Sequence, residues 1–284
     1  MLGKLFKYEN RAVSKILLPL SLAVIVLSIF AALMLKLNLI FEGKFTEGSI
    51  ISMALSTTTG MMTIFSIIAM ISANFIALYM IMQRYYKNLF TDEGYLTFTL
   101  PVKTSSIILS KLFCAVIWSV IVAISTIIGI FIFAIFGTSV SFVNVDAIKE
   151  TWEILCQIFE FYYTGDFEQI VFLIELLISA VVSLFTNFLL IYLSITLGCQ
   201  IAKKHKILAS IGMYFVVSAI VSTLGTVVHI ITSGVYGGLD YLDTITSISD
   251  VYLMLIPSII LSVVLGVGYF FLNHYILKNR LNIE

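Results

Sequence analysis

Residues 112–145 read LFCAVIWSVIVAISTIIGIFIFAIFGTSVSFVNV and contain no Asp, Glu, Lys or Arg. A helix that crosses the hydrocarbon core of a bilayer needs roughly 20 apolar residues, at about 1.5 Å of rise per residue. Five further stretches without these four residue types reach that length. They are residues 16–35, 48–83, 176–202, 207–239 and 251–277. The sequence therefore predicts six transmembrane helices.

The composition of the whole chain predicts the same fold class. Of the 284 residues, 60% are hydrophobic and 11% are charged, and the mean hydropathy is +1.09. A soluble globular domain carries roughly 25% charged residues, so this chain lacks the charge to cover a water-facing surface. The 3 Pro and 16 Gly residues are too few for a disordered or fibrous chain. We predict an all-α polytopic protein of the cell membrane, with no nucleic-acid partner.

We predict a single transmembrane domain over residues 1–284. An amphipathic helix, 1–15, precedes six spans, which are placed at 16–40, 50–83, 107–137, 169–200, 207–233 and 251–277. The loop 84–106 joins the second and third spans on one side. The loop 138–168 joins the third and fourth spans on the other side, and its apolar residues at helical spacing predict a short amphipathic helix there. We expect that outer loop to act as an extracellular lid.

The basic residues lie mostly on one side of the predicted spans. Of the 16 Lys and Arg residues, 13 precede the first span, lie in or just after the 84–106 loop, join the fourth and fifth spans, or follow the sixth. The opposite loops hold only Lys36, Lys44 and Lys149, together with eleven acidic residues. Because cytoplasmic loops carry an excess of Lys and Arg, we predict that both termini and the 84–106 loop are cytoplasmic. We call this face of the protein the basic side.

The first fifteen residues have the pattern of an interfacial helix. Lys4, Lys7, Arg11 and Lys15 recur three or four residues apart, so they share one helical face, opposite apolar residues. Such a helix lies in the headgroup layer with its cations toward anionic lipid. Alternatively, these cations only set the topology. The apolar run that follows has about 20 residues rather than the 7–15 of a signal peptide, so we expect it to be retained.

We single out two ionisable residues within the predicted spans as candidate intramembrane charges. Glu175 lies in the fourth span and Lys36 at the outer end of the first. A charge at the centre of a membrane helix costs roughly 2.5–3.5 kcal/mol, so both are candidate functional groups. Lys36 either reaches toward Glu175 or extends to the membrane interface. The sequence contains no P-loop and no metal-ligand spacing, so we predict no nucleotide site, metal or cofactor in this chain.

The loop on the basic side is unusually apolar. Residues 84–103 read RYYKNLFTDEGYLTFTLPVK, with six large apolar side chains inside twelve positions. Exposed apolar clusters of this kind mark sites that something must cover. A short helix opening near Thr91 and ending before Pro101 fits the pattern, and a strand with alternating residues fits it equally well. The loop either docks onto a partner or folds Leu96, Phe98 and Leu100 back on the chain's own helix ends, with Tyr85 and Tyr86 as interfacial anchors.

The segment EGYLTFTLPV, residues 93–102, followed by ILSKL, residues 108–112, resembles the loop between helices 2 and 3 of type-2 ATP-binding-cassette (ABC) exporter permeases. These permeases have six helices, an amphipathic helix before the first, and cytoplasmic termini. Family members often carry a basic–acidic pair before the glycine, where this chain has Asp92 and Glu93. The resemblance covers the whole topology, and its sequence-specific part is about 30 residues long.

The resemblance implies that the loop couples this chain to a dimeric cytoplasmic ATPase that uses ATP and Mg. The residues it implicates are Lys87, Asn88, Leu89, Phe90, Asp92, Glu93, Gly94, Tyr95, Leu96, Phe98, Leu100 and Pro101. It further implies a second permease, identical or similar, and substrates such as peptides, antibiotics, lipids or polysaccharides. We therefore predict an exporter permease without enzymatic activity of its own. The alternatives are an ion-coupled secondary transporter and a membrane sensor or scaffold subunit.

Overall fold

A computed structural model describes residues 2–41, 50–99, 101–137, 149, 153, 156, 167–202, 204–236 and 248–279. Within these residues the chain is all-helical and contains no strand. The helices are α1 Leu2–Phe41, α2 Ile50–Phe90, α3 Asp92–Thr99, α4 Thr104–Gly137, α5 Phe167–Ile201, α6 Lys206–Tyr236 and α7 Ile248–Asn279. In this described part, six helices, all except α3, are long and apolar enough to cross a membrane. The predicted all-α, six-span fold is confirmed.

Several helices are longer than the predicted spans. Helix α2 has 41 residues, which corresponds to about 60 Å, twice the roughly 30 Å of a hydrocarbon core. The span was predicted to end at residue 83, but the helix continues through Phe90 into the predicted loop. Backbone hydrogen bonding does not stop where hydropathy falls, because polar residues such as Arg84 and Lys87 are good helix formers. Most of the predicted outer loop, 138–168, and its short helix lie outside the described residues.

The N-terminal segment is helical, as predicted, but it is not a separate helix. Helix α1 runs from Leu2 to Phe41 and contains Pro19 in its interior. No Pro or Gly lies between Gly3 and Pro19 to separate the first fifteen residues from the span. The predicted amphipathic pattern is present, since the four cations are exposed while Val13 is buried. The indole Nε1–H of Trp118, in α4, donates a hydrogen bond to Asn10 Oδ1 at 2.7 Å. This part of α1 therefore packs along a transmembrane helix, which differs from a helix lying alone in the headgroup layer.

The chain divides into two compact units. Unit 1 comprises Met1–Phe6, Met82–Val116 and Ile158–Glu284, and unit 2 comprises Lys7–Ile81 and Ile117–Gln157. Three of the four divisions fall inside α1, α2 and α4, and the fourth, between residues 157 and 158, lies outside the described residues. The prediction of a single domain over residues 1–284 therefore stays a prediction.

Unit 2 packs through small side chains. Asn38 Nδ2, in α1, donates a hydrogen bond to Thr59 Oγ1, in α2, at 2.9 Å. A Cβ on Gly129, in α4, would lie 2.6 Å from Ser28 Oγ, so α4 and α1 approach each other closely at this glycine. Small residues at such contacts are typical of membrane helices, where close backbone approach replaces the hydrophobic driving force.

Unit 1 is built on α5, which contacts both α6 and α7. Thr186 Oγ1, in α5, donates a hydrogen bond to the backbone oxygen of Ser262, in α7, at 3.0 Å. Toward the basic side, Asn273 Nδ2 donates to the backbone oxygen of Leu189 at 3.4 Å. These bonds fix the register of α7 on α5, because a shifted register would leave the donors unpaired in an apolar environment.

Candidate functional site

The loop on the basic side contains a helix. Helix α2 ends at Phe90, α3 covers Asp92–Thr99, and α4 begins at Thr104. Of the two conformations that the pattern allowed, the structure has the helix, with the predicted bounds. Thr91 links α2 to α3: its Oγ1 donates to the backbone oxygen of Lys87 at 2.6 Å, and its own backbone oxygen accepts from Gly94 N at 2.7 Å. Both helix ends are therefore hydrogen-bonded across the bend.

Gly94 is required by the close approach of α3 to the end of α2. A Cβ at this position would lie 2.7 Å from the backbone oxygen of Leu89 and 2.9 Å from its carbonyl carbon. Both distances are shorter than those that real Cβ atoms show, and the obstructing atoms are backbone. The glycine thus sets how tightly α3 is seated on α2, and any side chain there would push the two helices apart.

Two apolar residues expected to be exposed are buried in unit 1. Leu89 has 0% of its surface exposed and Phe90 has 8%. The Phe90 ring lies 6.2 Å from that of Tyr85 and 6.4 Å from that of Tyr86, measured between ring centres. The expectation of exposure was wrong for these two residues, because the last turn of α2 carries them inward. They anchor the junction between α2 and α3 and are not available for direct contact with a partner.

Other residues of the site are exposed. The Tyr95 side chain is 66% exposed, and Lys87, Glu93 and Pro101 are exposed as well. Asn88 is half-buried. Asp92, Leu96 and Phe98 lie in α3, but their side chains, and Leu100 altogether, fall outside the described residues. The exposed side chains described for α3 are thus the aromatic Tyr95, the acidic Glu93 and Thr99.

A buried aromatic contact ties the end of α2 to α5. The rings of Tyr85 and Tyr192 stack face to face, 3.9 Å apart between centres and 4° from parallel. Tyr85 Oη lies 3.1 Å from Thr196 Oγ1, and Tyr192 Oη donates to the backbone oxygen of Lys111, in α4, at 3.2 Å. Both tyrosines are fully buried. The sequence suggested an interfacial role for Tyr85, and this contact was not predicted. The feature of the sequence that points to it is the spacing of Tyr192 and Thr196, which lie one helical turn apart.

The predicted intramembrane charges lie in different units. Lys36, in unit 2, is 5% exposed and has an interaction partner. Glu175, in α5 of unit 1, is half-buried, and its Oε2 is buried without a hydrogen-bond partner. Among the described residues, no group of three or more His, Cys, Asp or Glu side chains is placed to hold a metal ion.

No protein-family model, curated protein or solved structure matches this chain. The resemblance to ABC exporter permeases therefore rests on the residues of the 84–112 segment and on the helical topology.

Proposed function

We propose that this chain is the membrane-spanning permease subunit of an ABC-type exporter, which couples ATP hydrolysis by a separate subunit to substrate movement. Helix α3 is the observation that carries the proposal. It is a short helix between two transmembrane helices, on the basic side, and it presents Tyr95 to solvent. An exposed tyrosine on a rigidly seated helix is a typical anchor for a protein partner.

The seating of α3 suits it to transmit force. Gly94 holds α3 against the backbone of Leu89, and Leu89 and Phe90 fix the end of α2 in the core of unit 1. The Tyr85–Tyr192 stack then joins α2 to α5. A push on α3 by a partner would therefore move α2 and α5 rather than bend a loose loop, since closely packed interiors transmit displacement.

The proposal implies a dimeric cytoplasmic ATPase and a second permease chain as partners. ATP and Mg would be used by the ATPase subunit. The alternatives differ in what the same helix does: in a sensor or scaffold subunit, α3 would bind a partner without nucleotide-dependent movement of substrate.

The test is affinity purification of the full-length chain from its native host in mild detergent, followed by identification of the retained proteins. We expect a nucleotide-hydrolysing subunit to be retained. Tyr95→Asp should weaken its retention by about 30-fold, the equivalent of a hot-spot loss of about 2 kcal/mol. The matched control is Tyr8→Asp, because Tyr8 is also highly exposed, at 72%, but lies on α1. Wild-type chain that retains no such subunit would contradict the proposal.

A secondary transporter is the second candidate, favoured by Glu175. A carboxylate oxygen that is buried in a membrane helix without a partner is a candidate site for a transported proton or cation. Glu175→Gln should then stop gradient-driven proton movement into vesicles, measured with a pH-sensitive dye, while Glu153→Gln, at an exposed position, should not. Equal proton movement in the two variants would remove this candidate.

A further inference from the structure

A groove of about 570 Å³ opens on the basic side of unit 1, between the end of α2 and the start of α6. Tyr86, Phe90 and Thr91 line it from the α2 end. Its volume falls within the roughly 300–1,000 Å³ of typical small-molecule sites. None of its described lining residues belongs to α3.

The opposite wall carries a cluster of basic side chains. Lys204, His205 and Lys206 all line the groove, and among its described lining residues none is acidic. Helix α6 begins at Lys206, so the positive end of its dipole adds to the field of these side chains. The charge of the wall thus favours an anionic group.

The start of α6 packs closely on the end of α5. A Cβ on Gly198, near the end of α5, would overlap the backbone N and Cα of Ser210, in α6. Ser210 is buried, and its Oγ donates to the backbone oxygen of Lys206 at 2.8 Å. The backbone amide of Ala209 also donates to the oxygen of His205, at 3.0 Å. The start of α6 is therefore fixed against α5, which positions the backbone that carries His205 and Lys206.

The groove continues into an apolar strip. Ile207, Leu208 and Ile211 line it and are 62%, 70% and 51% exposed. Phe215, one turn beyond Ile211, is also exposed, and the positions 208, 211 and 215 share one face of the helix. Because α6 is a candidate membrane span from Lys206 onward, this strip leads from the basic wall into the hydrocarbon region.

We propose that this groove binds an anionic phospholipid of the basic-side leaflet, with the phosphate at Lys204, His205 and Lys206 and an acyl chain along the strip from Leu208 to Phe215. Basic pockets between membrane helices on this side suit anionic headgroups. A soluble anion would use the cations but not the apolar strip. An acidic protein segment would not follow a helix face into the membrane. Lipid is the ligand class that matches both ends of the groove.

The test measures lipid binding to the purified full-length chain, delipidated and then titrated with phosphatidylglycerol in phosphatidylcholine nanodiscs, with bound lipid counted by native mass spectrometry. Lys204→Gln with Lys206→Gln should weaken phosphatidylglycerol binding by about 30-fold, the factor that two cations near an anionic surface contribute. The matched control is Lys103→Gln with Lys278→Gln, which removes two exposed cations elsewhere on the basic side of unit 1. The control, and the double variant Lys204→Arg with Lys206→Arg, should bind like the wild type.

Two further arms separate lipid from other ligands. Leu208→Asn should weaken long-chain phosphatidylglycerol, whereas inorganic phosphate at equal concentration should not compete with the lipid. Competition by phosphate would identify a soluble-anion site and overturn the proposal, as would equal lipid loss in the test and control double variants. Because none of these measurements involves an ATPase subunit, the lipid site and the permease function are tested independently of each other.

Discussion

Replacing Gly94 with alanine tests how α3 is seated. The new Cβ would lie 2.7 Å from the backbone oxygen of Leu89, where ordinary van der Waals contact begins at 3.4 Å, so α3 must move by about 0.7 Å. The obstructing atoms belong to the backbone of α2, which cannot rotate away as a flexible side chain would. Overpacking of this kind costs about 1–3 kcal/mol.

The same substitution also has a favourable effect on helix stability, which must be separated from the steric cost. Alanine is better than glycine inside a helix by about 1 kcal/mol, which offsets part of the steric cost. Gly212→Ala, in α6, provides the control, because nothing lies within 4 Å of a Cβ placed there. The propensity gain is common to both variants, so the difference between them isolates the clash. We expect Gly94→Ala to be less stable than Gly212→Ala by about 1–3 kcal/mol.

The measurement is the free energy of unfolding of the purified full-length protein in mixed micelles, titrated with denaturing detergent. If the proposed function holds, Gly94→Ala should also lower ATP hydrolysis by the complex with the ATPase, because α3 is displaced from its seat. Equal stability of the two alanine variants would refute the reasoning. It would mean that α3 moves away from α2 at no cost and cannot transmit force.

Two other substitutions test the packing of each unit, with the same unfolding measurement. Tyr85→Ala should lower the free energy of unfolding by about 3–5 kcal/mol, because it leaves a cavity beside Tyr192. Tyr85→Phe keeps the stack and should lose only the hydrogen bond to Thr196, about 1 kcal/mol. Equal losses in the two variants would show that the stack contributes little. Asn10→Ala should cost about 1–3 kcal/mol, because it leaves the buried indole N–H of Trp118 unpaired, and Asn10→Asp, which keeps an acceptor, should cost less. An unchanged stability in Asn10→Ala would mean that this bond does not hold the start of α1.

The ends of the transmembrane helices could be predicted where they coincide with a change in hydropathy. The uncharged run that begins at residue 207 marks the start of α6 to within one residue, because the basic turn before it has to remain in water. The end of α2 was predicted seven residues too early, and the start of α1 was assigned to a separate helix. At both places the helix continues past the membrane boundary. The length of an apolar run does not show whether the helix continues into water.

The exposure of the site residues could not be predicted in this way. Leu89, Phe90 and Tyr95 occur within seven positions, and all are large and apolar or aromatic. Leu89 and Phe90 are buried and Tyr95 is exposed, because the last turn of α2 packs into unit 1 whereas Tyr95, in the first turn of α3, lies at the surface. Helical spacing within one segment does not specify that bend, which depends on the fit of Gly94 against Leu89.

By itself the sequence determined the six apolar helices, the basic side, and a short segment on that side compatible with a helix. These are local properties, since hydropathy and charge along about 20 residues decide whether a segment enters a membrane. The tertiary structure alone decided that Tyr85 meets Thr196, 111 residues away, and that the basic turn before α6 faces the end of α2 across a groove. Such pairings depend on how separate helices pack, and packing is set by the shapes of all the side chains at a contact rather than by any one segment.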